Sequence, residues 1–438
     1  MIFDDPTLTR LLGSIEANRL VLLCGAGLSI PPPSDLMSAI RVSQECYERY
    51  RHIKVLPAAM RDDIGKLAGH FYGTAEFESV FIGSLVPWNE LVGQPNDGHA
   101  AVADFLVSRA ATAALSANFD TLIEQWAQQR KIAMRGALDG HEAREFSNDT
   151  SPLVKFHGCH FRDRKKTLWT DGQLAEPTVA DRVATCSKWM ELELPGKDLL
   201  VVGFWTDWGY LNDVLANALN VNAFGSVTVV NPETSAALQA KAPNLWARLN
   251  GSATPLQHLQ ASGADALTEL RVAFSKGWIR KFYALGKPLL EADGKTYSAI
   301  EPDMNCEDLY NSRCDAEGLP YNRAARMKQP PPQSGAAAFF HLLLVGEGAA
   351  REGPQYTHKG KRIRVVQGAG QALNTVRQGY RESAALPQPD FVVCAGALDL
   401  ATPGRIISSG AGASIVRPAV GGSAQWMTLE KARGELGI

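Results

Sequence analysis

The sequence lacks the paired cysteines and the long apolar runs that several protein classes require. It contains seven cysteines in 438 residues, and no two of them are spaced as Cys-x-x-Cys. An odd, scattered set argues against a disulfide framework and against a zinc ribbon, and is typical of a reducing cytoplasm. No apolar run approaches the ~20 residues that cross a bilayer, and the acidic N-terminus lacks the features of a signal peptide. We therefore expect a cytoplasmic protein without a membrane segment.

An excess of charge of one sign is also missing. Lys and Arg number 44 and Asp and Glu 46, which gives a net charge of −2. This balance provides no whole-molecule attraction to nucleic acid or to an anionic membrane, so direct binding to either is not expected. Charged residues make up 21% and hydrophobic residues 45% of the chain. That composition is globular and excludes collagen-like, coiled-coil and disordered classes.

Short apolar runs alternate with longer amphipathic stretches in the first part of the chain. This alternation predicts an α/β fold, a Rossmann-like parallel sheet with helices on both faces. The runs interpreted as buried strands are Leu20–Leu23, Ala113–Ser116, Leu153–Phe156, Leu199–Phe204 and Ser226–Val230. The long stretch after the first run has no strand pattern, so we expect a helical insertion at about 31–112. Ala264–Phe274 has the apolar periodicity of a helix.

The rest of the chain is predicted to form a helical extension and a further domain. A proline-rich stretch, Gln329–Gly335, indicates a linker or a domain edge. We assign 276–332 to the extension and linker, and 333–438 to a C-terminal α/β domain for oligomer or partner contacts. The apolar runs interpreted as strands of that domain are Phe340–Val345, Ile363–Val366, Asp390–Cys394 and Ser414–Val416.

The first predicted strand runs into a loop of small residues, Gly25-Ala26-Gly27-Leu28-Ser29. Glycines allow the backbone to approach a diphosphate, free N–H groups can bind its oxygens, and the Ser29 hydroxyl can add a donor. The loop lacks the Gly-x-Gly-x-x-Gly of hydride-transfer enzymes and the Gly-Lys-Ser/Thr ending of a Walker loop. A plain tight turn is an equal alternative for the loop taken alone.

Polar residues follow the next predicted strands, and in a parallel sheet such positions meet at the ligand-binding edge. Asn118 and Asp120 place an amide and a carboxylate there, although both residue types are also common at turns and helix caps. His157 stands beside a glycine at the third strand end, where its unperturbed pKa near ~6.5 suits a general base. Cys159 and His160 have no second ligand cluster nearby, so no metal site is expected.

Two later strand ends complete the set of candidate nucleotide contacts. They read Gly203-Phe204-Trp205-Thr206-Asp207 and Val230-Asn231-Pro232-Glu233. A glycine with a hydroxyl residue, and Asn-Pro, are consistent with ribose and adenine contacts at these positions. Each is also an ordinary turn.

Together, and in this order, the motifs resemble the sirtuin family over about residues 1–275. The glycine loop is similar to the sirtuin loop for the NAD diphosphate, and Pro95-Asn96-x-x-His99 to the family's Pro-Asn-x-x-His element. Asn118-Phe119-Asp120 resembles the Asn-x-Asp that contacts nicotinamide and its ribose. Lys155-Phe156-His157-Gly158 resembles the His-Gly that supplies the catalytic histidine. Gln257–Phe274 resembles the family's last strand and helix.

The resemblance implies an NAD-binding catalytic domain in which NAD is the substrate. The implied diphosphate contacts are Gly25, Ala26, Gly27 and Ser29. Further nucleotide contacts are implied for Gly203, Phe204, Asp207 and Asn231. The implied catalytic residues are Asn118, Asp120 and His157.

Two departures from the family narrow the expected activity. The paired cysteines of the sirtuin zinc ribbon are missing, and Pro31-Pro32-Pro33-Ser34-Asp35-Leu36 stands where sirtuin deacylases have Pro-Asp-Phe-Arg. Both departures resemble the zinc-less sirtuin-like effectors of bacterial antiphage defence. That resemblance implies an NAD hydrolase (NADase) of abortive infection that needs no zinc. It also implies gating by homo-oligomerisation or by a partner, either a HerA-type ATPase or a short prokaryotic Argonaute. The alternatives are a protein deacylase and a non-catalytic module that binds NAD or ADP-ribose.

Overall fold

The computed structural model describes residues 1–148, 150–218, 225–250, 256–296, 306–316, 327–379, 387–399 and 424–438. The chain forms two compact units, Met1–Arg271 and Val272–Ile438, and the boundary between them falls within one long helix. Every residue that the sequence singles out as a site candidate belongs to the first unit.

A six-stranded parallel sheet forms the centre of the first unit. Its strands are β1 (Leu20–Cys24), β2 (Ala113–Ser116), β3 (Leu153–Val154), β4 (Asp198–Val202), β5 (Ser226–Val230) and β6 (Gln257–Leu259). They lie in the order β3-β2-β1-β4-β5-β6, so the strand order reverses direction between β1 and β4. Ligands of such sheets bind beyond the strand carboxyl ends at this reversal. The α/β fold and the five predicted strands are confirmed, with β3 and β4 ending two residues earlier than predicted.

Helices cover both faces of this sheet. They are α1 (Asp5–Glu16), α2 (Ala39–Tyr50), α3 (Ile64–Gly73), α4 (Asp97–Val107), α5 (Leu122–Gln129), α6 (Gly140–Phe146), α7 (Pro177–Glu193), α8 (Gly209–Ala218), α9 (Ser235–Lys241), α10 (Pro243–Asn250) and the start of α11 (Gly263–Ala292). Successive strand residues point to opposite faces. Val21 and Leu23 pack in an apolar cluster with side chains of α6 to α10. Leu20 and Leu22, on the other face, are equally buried, and α1 and α4 adjoin β1 and β2.

The segment between β1 and β2 is helical, as predicted. It contains α2, α3, α4 and a π-helical stretch, Phe77–Leu85. Its side chains build an apolar core of their own, which includes Phe71, Phe81 and Trp88. Trp169, from the segment after β3, joins that core with its ring 5.5 Å from Phe81 and 6.0 Å from Trp88. The insertion is thereby fixed against the part of the chain that follows His157.

The second unit is built around a smaller, mixed sheet. Its strands are β7 (Ala350–Glu352), β8 (Gln355–His358), β9 (Lys361–Gln367), β10 (Phe391–Ala395) and β11 (Gln425–Thr428). They lie in the order β11-β10-β9-β8-β7, antiparallel from β7 to β9 and parallel from β9 to β11. Its helices, besides the end of α11, are α12 (Cys306–Ala316), α13 (Gly335–Gly346), α14 (Leu373–Gly379) and α15 (Leu429–Leu436). A C-terminal α/β region is therefore confirmed.

One predicted strand of this unit is wrong. Phe340–Val345 lies inside α13. A short apolar run does not by itself distinguish a buried strand from a buried helix. The preceding Ala336–Ala338 favours a helix, and the helix that forms, Gly335–Gly346, has twelve residues, which is a helical length. The predicted strands Ile363–Val366 and Asp390–Cys394 are confirmed as β9 and β10, whereas Ser414–Val416 lies outside the described residues.

In the part of the chain that the structure describes, no helix combines the length and the apolar character needed to cross a membrane. The longest helix, α11, shows why, because charged side chains such as Arg271, Lys276 and Lys281 recur along it.

Candidate active site

The turns after β1 and β4 touch each other at the reversal of the strand order. Gly203 has a left-handed backbone (φ 63°), and a Cβ there would lie 2.5 Å from the amide nitrogen of Leu28. A Cβ on Gly25 would lie 2.6 Å from the Gly203 carbonyl oxygen, and one on Gly27 would lie 2.8 Å from its Cα. No side chain fits at such distances, so three glycines are required for the two turns to meet.

The glycine loop uses most of its amides within the protein. Gly25 donates to the carbonyl oxygen of Val202 (3.1 Å) and Gly27 to that of Gly203 (2.9 Å). The last two amides of the loop close a 3-10 turn. Of the five amides, that of Ala26 has no backbone acceptor among the described residues. The several free N–H groups expected for a diphosphate are thus reduced to one.

Ser29 is the centre of a buried hydrogen-bond network. His99 accepts the Asn96 amide at Nδ1 (3.3 Å), so its Nε2 carries the proton and donates to the Ser29 hydroxyl (3.0 Å). The hydroxyl donates to Asp120 Oδ2 (2.9 Å) and accepts from the amide group of Asn118 (3.1 Å). Burial lowers the pKa of His99, and the nearby Asp120 opposes that shift. Ser29 therefore orients both predicted residues of the Asn-x-Asp element and has no proton left for a diphosphate.

Asn118 keeps one polar atom without a partner. Its Nδ2 also donates to the carbonyl oxygen of Gly25 (3.2 Å), which fixes the orientation of the amide. Its Oδ1 is buried and accepts no hydrogen bond from any described residue. The residue as a whole is 7% exposed. An unpaired acceptor in a fixed, buried amide is typical of a position that receives a ligand or a water.

A buried ion pair supports the Asp120 turn from behind. The Lys155 ammonium lies 3.3 Å from the Glu124 carboxylate on α5, and both side chains are at least nine-tenths buried. The same ammonium donates to the main-chain carbonyl of Asp120. Burial alone would lower the pKa of Lys155, but Glu124 and the other acidic neighbours raise it, so the ammonium stays charged. Lys155 thus connects the end of β3 to the turn after β2.

His157 lies in a contrasting, apolar environment. Its residue exposure is 4%, and Nε2 is buried without a hydrogen-bond partner in the described part of the chain. Burial, and secondarily the positive charge of Arg182, lowers the pKa of His157 from 6.5 to about 3. The ring is therefore neutral at pH 7, and it is a weaker base than its unperturbed pKa implies.

Aromatic rings enclose this imidazole. The ring centroids of Phe156, Trp208 and Tyr210 lie 4.7, 4.6 and 6.2 Å from that of His157. Trp208 and Tyr210 come from the turn after β4 and the start of α8. The fourth strand end therefore reaches the candidate base, through residues that the sequence motif did not single out.

The other predicted nucleotide contacts are engaged within the fold. The Asp207 carboxylate accepts hydrogen bonds from the backbone amides of Asn244 (3.2 Å) and Leu245 (2.7 Å). It therefore caps the N-terminus of α10, although it is far from that helix in the sequence. Asn231 Oδ1 accepts the amide of Glu233 (2.9 Å), which is the turn alternative considered above. Phe204 is buried. These side chains shape the edge of the sheet near β4 and β5.

The residues next to His157 that suggested metal binding also have partners. Cys159 Sγ lies 3.6 Å from the Lys155 ammonium, and His160 Nδ1 lies 2.9 Å from the carbonyl oxygen of Phe119. Within the described residues, no group of three or more His, Cys, Asp and Glu side chains is arranged to hold a metal ion.

Several contributors to the site escaped selection from the sequence. His99 and Lys155 could have been selected from the sequence, because they belong to the Pro-Asn-x-x-His and Lys-Phe-His-Gly elements quoted above. No motif in the sequence singles out Glu124, Arg182 or Trp208. Their contacts with Lys155 and His157 are made across tens of residues, and only the folded chain brings them together.

Comparison with known proteins finds matches among solved structures. No family model matches the chain, and no curated protein matches it. Similar solved structures include a histidine-to-asparagine mutant of a Sir2 homologue with ADP-ribose, at 16% identity over 61% of this chain and 95% of that one (TM-score 0.34). A serine-to-alanine mutant of a Sir2 homologue with ADP-ribose matches at 17% identity over the same shares (TM-score 0.33). A structure concerned with the mechanism and regulation of Sir2 enzymes matches at 13% identity over 61% and 96% (TM-score 0.32).

Proposed function

We propose that this chain is an NAD glycohydrolase, which cleaves NAD to nicotinamide and ADP-ribose. The observation that carries the proposal is Asn118 Oδ1, a buried amide oxygen without a partner, together with the neutral imidazole of His157 at the next strand end. They belong to two residues that the sirtuin resemblance assigns to catalysis. Native proteins rarely leave such an oxygen unpaired unless a ligand, a water or the chemistry uses it. Both residues follow neighbouring parallel strands, β2 and β3.

The reaction requires positioning more than acid assistance. The bond between the ribose C1′ and the nicotinamide nitrogen breaks, and its electron pair leaves with nicotinamide, which needs no added proton. C1′ then forms a bond to a water oxygen. Asn118 would position that water through Oδ1, and Asp120 would orient the nicotinamide carboxamide. His157 would accept a proton from the water or from a ribose hydroxyl.

The diphosphate would lie against the glycine loop. Gly25 and Gly27 permit close approach of the backbone, and the amide of Ala26 is the donor that the loop has available. Ser29 would act indirectly, by holding Asn118 and Asp120. Gly203, Phe204, Asp207 and Asn231 would form the opposite side of the reversal, where the ribose and adenine would bind.

The surroundings of His157 favour hydrolysis over protein deacylation. Phe156, Trp208 and Tyr210 enclose the imidazole, so a small molecule such as water reaches it more readily than an acyl-lysine side chain. The departure at Pro31–Leu36 from the deacylase motif supports the same choice. A binding module without activity needs neither Asn118 nor His157.

We further propose a cytoplasmic, abortive-infection role in antiphage defence. This part rests on the likeness of the sequence to zinc-less sirtuin-like effectors. Unrestrained NAD hydrolysis would kill the host cell, so the activity would be gated by homo-oligomerisation or by a HerA-type ATPase or short Argonaute partner. The C-terminal α/β domain, residues 333–438, is proposed to make those contacts.

The test is a product analysis of the purified full chain with NAD and no peptide, alone and after co-purification with the product of the neighbouring gene. Equal amounts of nicotinamide and ADP-ribose are expected. Release of nicotinamide only when an acylated peptide is added would identify a deacylase. Binding of NAD without turnover in both preparations would identify a binding module.

A further inference from the structure

Two more polar atoms beside His157 are buried without a partner. They are the Tyr210 hydroxyl and Arg182 Nε, and neither forms a hydrogen bond with any residue of the described ranges. The Tyr210 and His157 rings are 6.2 Å apart, and the charge of Arg182 acts on both of them. Three unpaired polar atoms therefore share one buried region, behind the candidate base.

Arg182 is held rigidly by its other two nitrogens. Nη1 donates to the Asp163 carboxylate (3.0 Å) and Nη2 to the carbonyl oxygen of Lys166 (2.7 Å), which ties α7 to the segment after His157. Gly158 adopts φ 95°, and a Cβ there would lie 3.4 Å from Nη1. The guanidinium is thus packed under the turn that carries His157, and the direction of its Nε–H is fixed.

Tyr210 contributes a hydroxyl that stays protonated. Burial raises its pKa well above the usual value. Its ring packs edge-on against Trp208 at 6.1 Å, and Trp208 in turn lies 4.6 Å from the imidazole. These carbon surfaces cannot satisfy the three polar atoms.

We propose that Arg182 and Tyr210 are positioning residues for His157, joined to its Nε2 by one buried water. The water would accept the Arg182 Nε–H and the His157 Nε2–H and donate to the Tyr210 hydroxyl oxygen. About three hydrogen bonds is the usual number for a buried water. With Nε2 bound to the water as a donor, the proton acceptor of the imidazole is Nδ1, so this water sets the tautomer of His157. Only the effect on reaction rate rests on the proposed function.

A crystal structure of the full chain that shows ordered waters tests whether the buried water is present. It is expected to show one water within about 2.7–3.2 Å of Arg182 Nε, Tyr210 Oη and His157 Nε2. In Tyr210→Phe the water should be lost or should lose its order. Density for no water in the wild type, or direct bonds among the three atoms, would overturn the proposal. This readout does not depend on any activity.

Nitrogen-15 NMR of labelled histidines tests whether the water sets the tautomer of His157. The His157 signal is assigned by its loss in His157→Gln. We expect one tautomer in the wild type and a mixture in Tyr210→Phe. Tyr47→Phe is the matched control, because the Tyr47 hydroxyl bonds the Leu56 carbonyl oxygen (2.9 Å) away from His157. A tautomer unchanged in Tyr210→Phe would refute the positioning role.

Kinetics separate this proposal from the proposed function. If the wild type hydrolyses NAD, Tyr210→Phe should lower kcat about tenfold with little change in KM, as expected for a residue that acts through the base. If the wild type does not hydrolyse NAD, the proposed function fails. The water and the tautomer then still decide whether Arg182 and Tyr210 position His157.

Discussion

The two halves of the candidate site differ in the environment of their polar side chains. On the β2 side, the Ser29 hydroxyl joins His99, Asp120 and Asn118 in a hydrogen-bonded network. On the β3 side, His157 lies among aromatic rings with Nε2 unpaired and its pKa held near 3. A hydrogen-bonded network fixes geometry, whereas an enclosed imidazole stays neutral. Under the proposed function, the first half would orient the substrate and the second would keep the base in its proton-accepting form.

The largest effect should come from removing the enclosed base. His157→Ala is expected to slow nicotinamide release by about 10²–10⁴-fold, the usual contribution of a general base. Thermal stability should change little beyond the loss of packing, because the His157 ring makes no hydrogen bond with a described residue. His141→Ala, at an exposed position of α6, is the control. Chromatography of the products measures both, and undiminished turnover in His157→Ala would remove this residue from the reaction.

The next largest effect concerns the ion pair that connects the two halves. Lys155→Met should lower the free energy of unfolding by about 3–5 kcal/mol, because it leaves the buried Glu124 carboxylate without its counter-charge. Lys241→Met breaks an exposed pair with Glu233 (2.8 Å) and should cost about 0–1 kcal/mol. Denaturant unfolding monitored by tryptophan fluorescence compares the two. Equal losses would mean that Lys155 does not support the site.

A moderate effect is expected from opening the hydrogen-bond network. Ser29→Ala leaves Asp120, Asn118 and His99 each short of a partner, which should cost about 1–3 kcal/mol of transition-state stabilisation, or roughly 5- to 150-fold in kcat/KM. Ser14→Ala removes another buried hydroxyl, one that donates to the Arg10 carbonyl oxygen (2.9 Å), and should leave kcat/KM unchanged. Similar losses in both variants would show that Ser29 acts only through stability.

The effect that is smallest near pH 7, and that grows as the pH falls, is a pH dependence of stability. The pKa of His157 is lowered on folding from 6.5 to about 3. Between these values the unfolded chain binds a proton that the folded chain does not, so the stabilisation is complete above pH 6.5 and is lost as pH falls toward 3. The slope is about 1.4 kcal/mol per pH unit. His157→Gln takes up no such proton, so its unfolding midpoint should decline less steeply with acid. If the unfolding midpoints of the wild type and of His157→Gln fall equally steeply with acid, the imidazole is not buried in its neutral form.

Much of the fold could be predicted from the sequence, because hydrophobic alternation has a direct physical cause. Runs such as Leu20–Leu23 are apolar throughout because both faces of a parallel sheet are covered. Phe340–Val345 shows the limit of that reasoning, since an apolar run is equally suited to a helix buried on all sides.

The candidate site divides in the same way. Asn118, Asp120 and His157 could be located because strand carboxyl ends meet at one edge of the sheet. The low pKa of His157 could not be predicted, because it depends on rings such as Trp208 and on Arg182, which local sequence does not connect to it. The hydrogen bonds of the Ser29 hydroxyl to neighbouring side chains could not be predicted either, since the partners come from distant parts of the chain.

The contact of Gly25, Gly27 and Gly203 has a consequence for protein engineering and for evolution. These three positions are one steric unit, although 178 residues separate the first from the last, because a Cβ at any of them would intrude on the opposite turn. Related sequences should therefore gain or lose these glycines together. A phosphate-binding loop transplanted from another Rossmann protein would fit this scaffold only if the turn after β4 were transplanted with it.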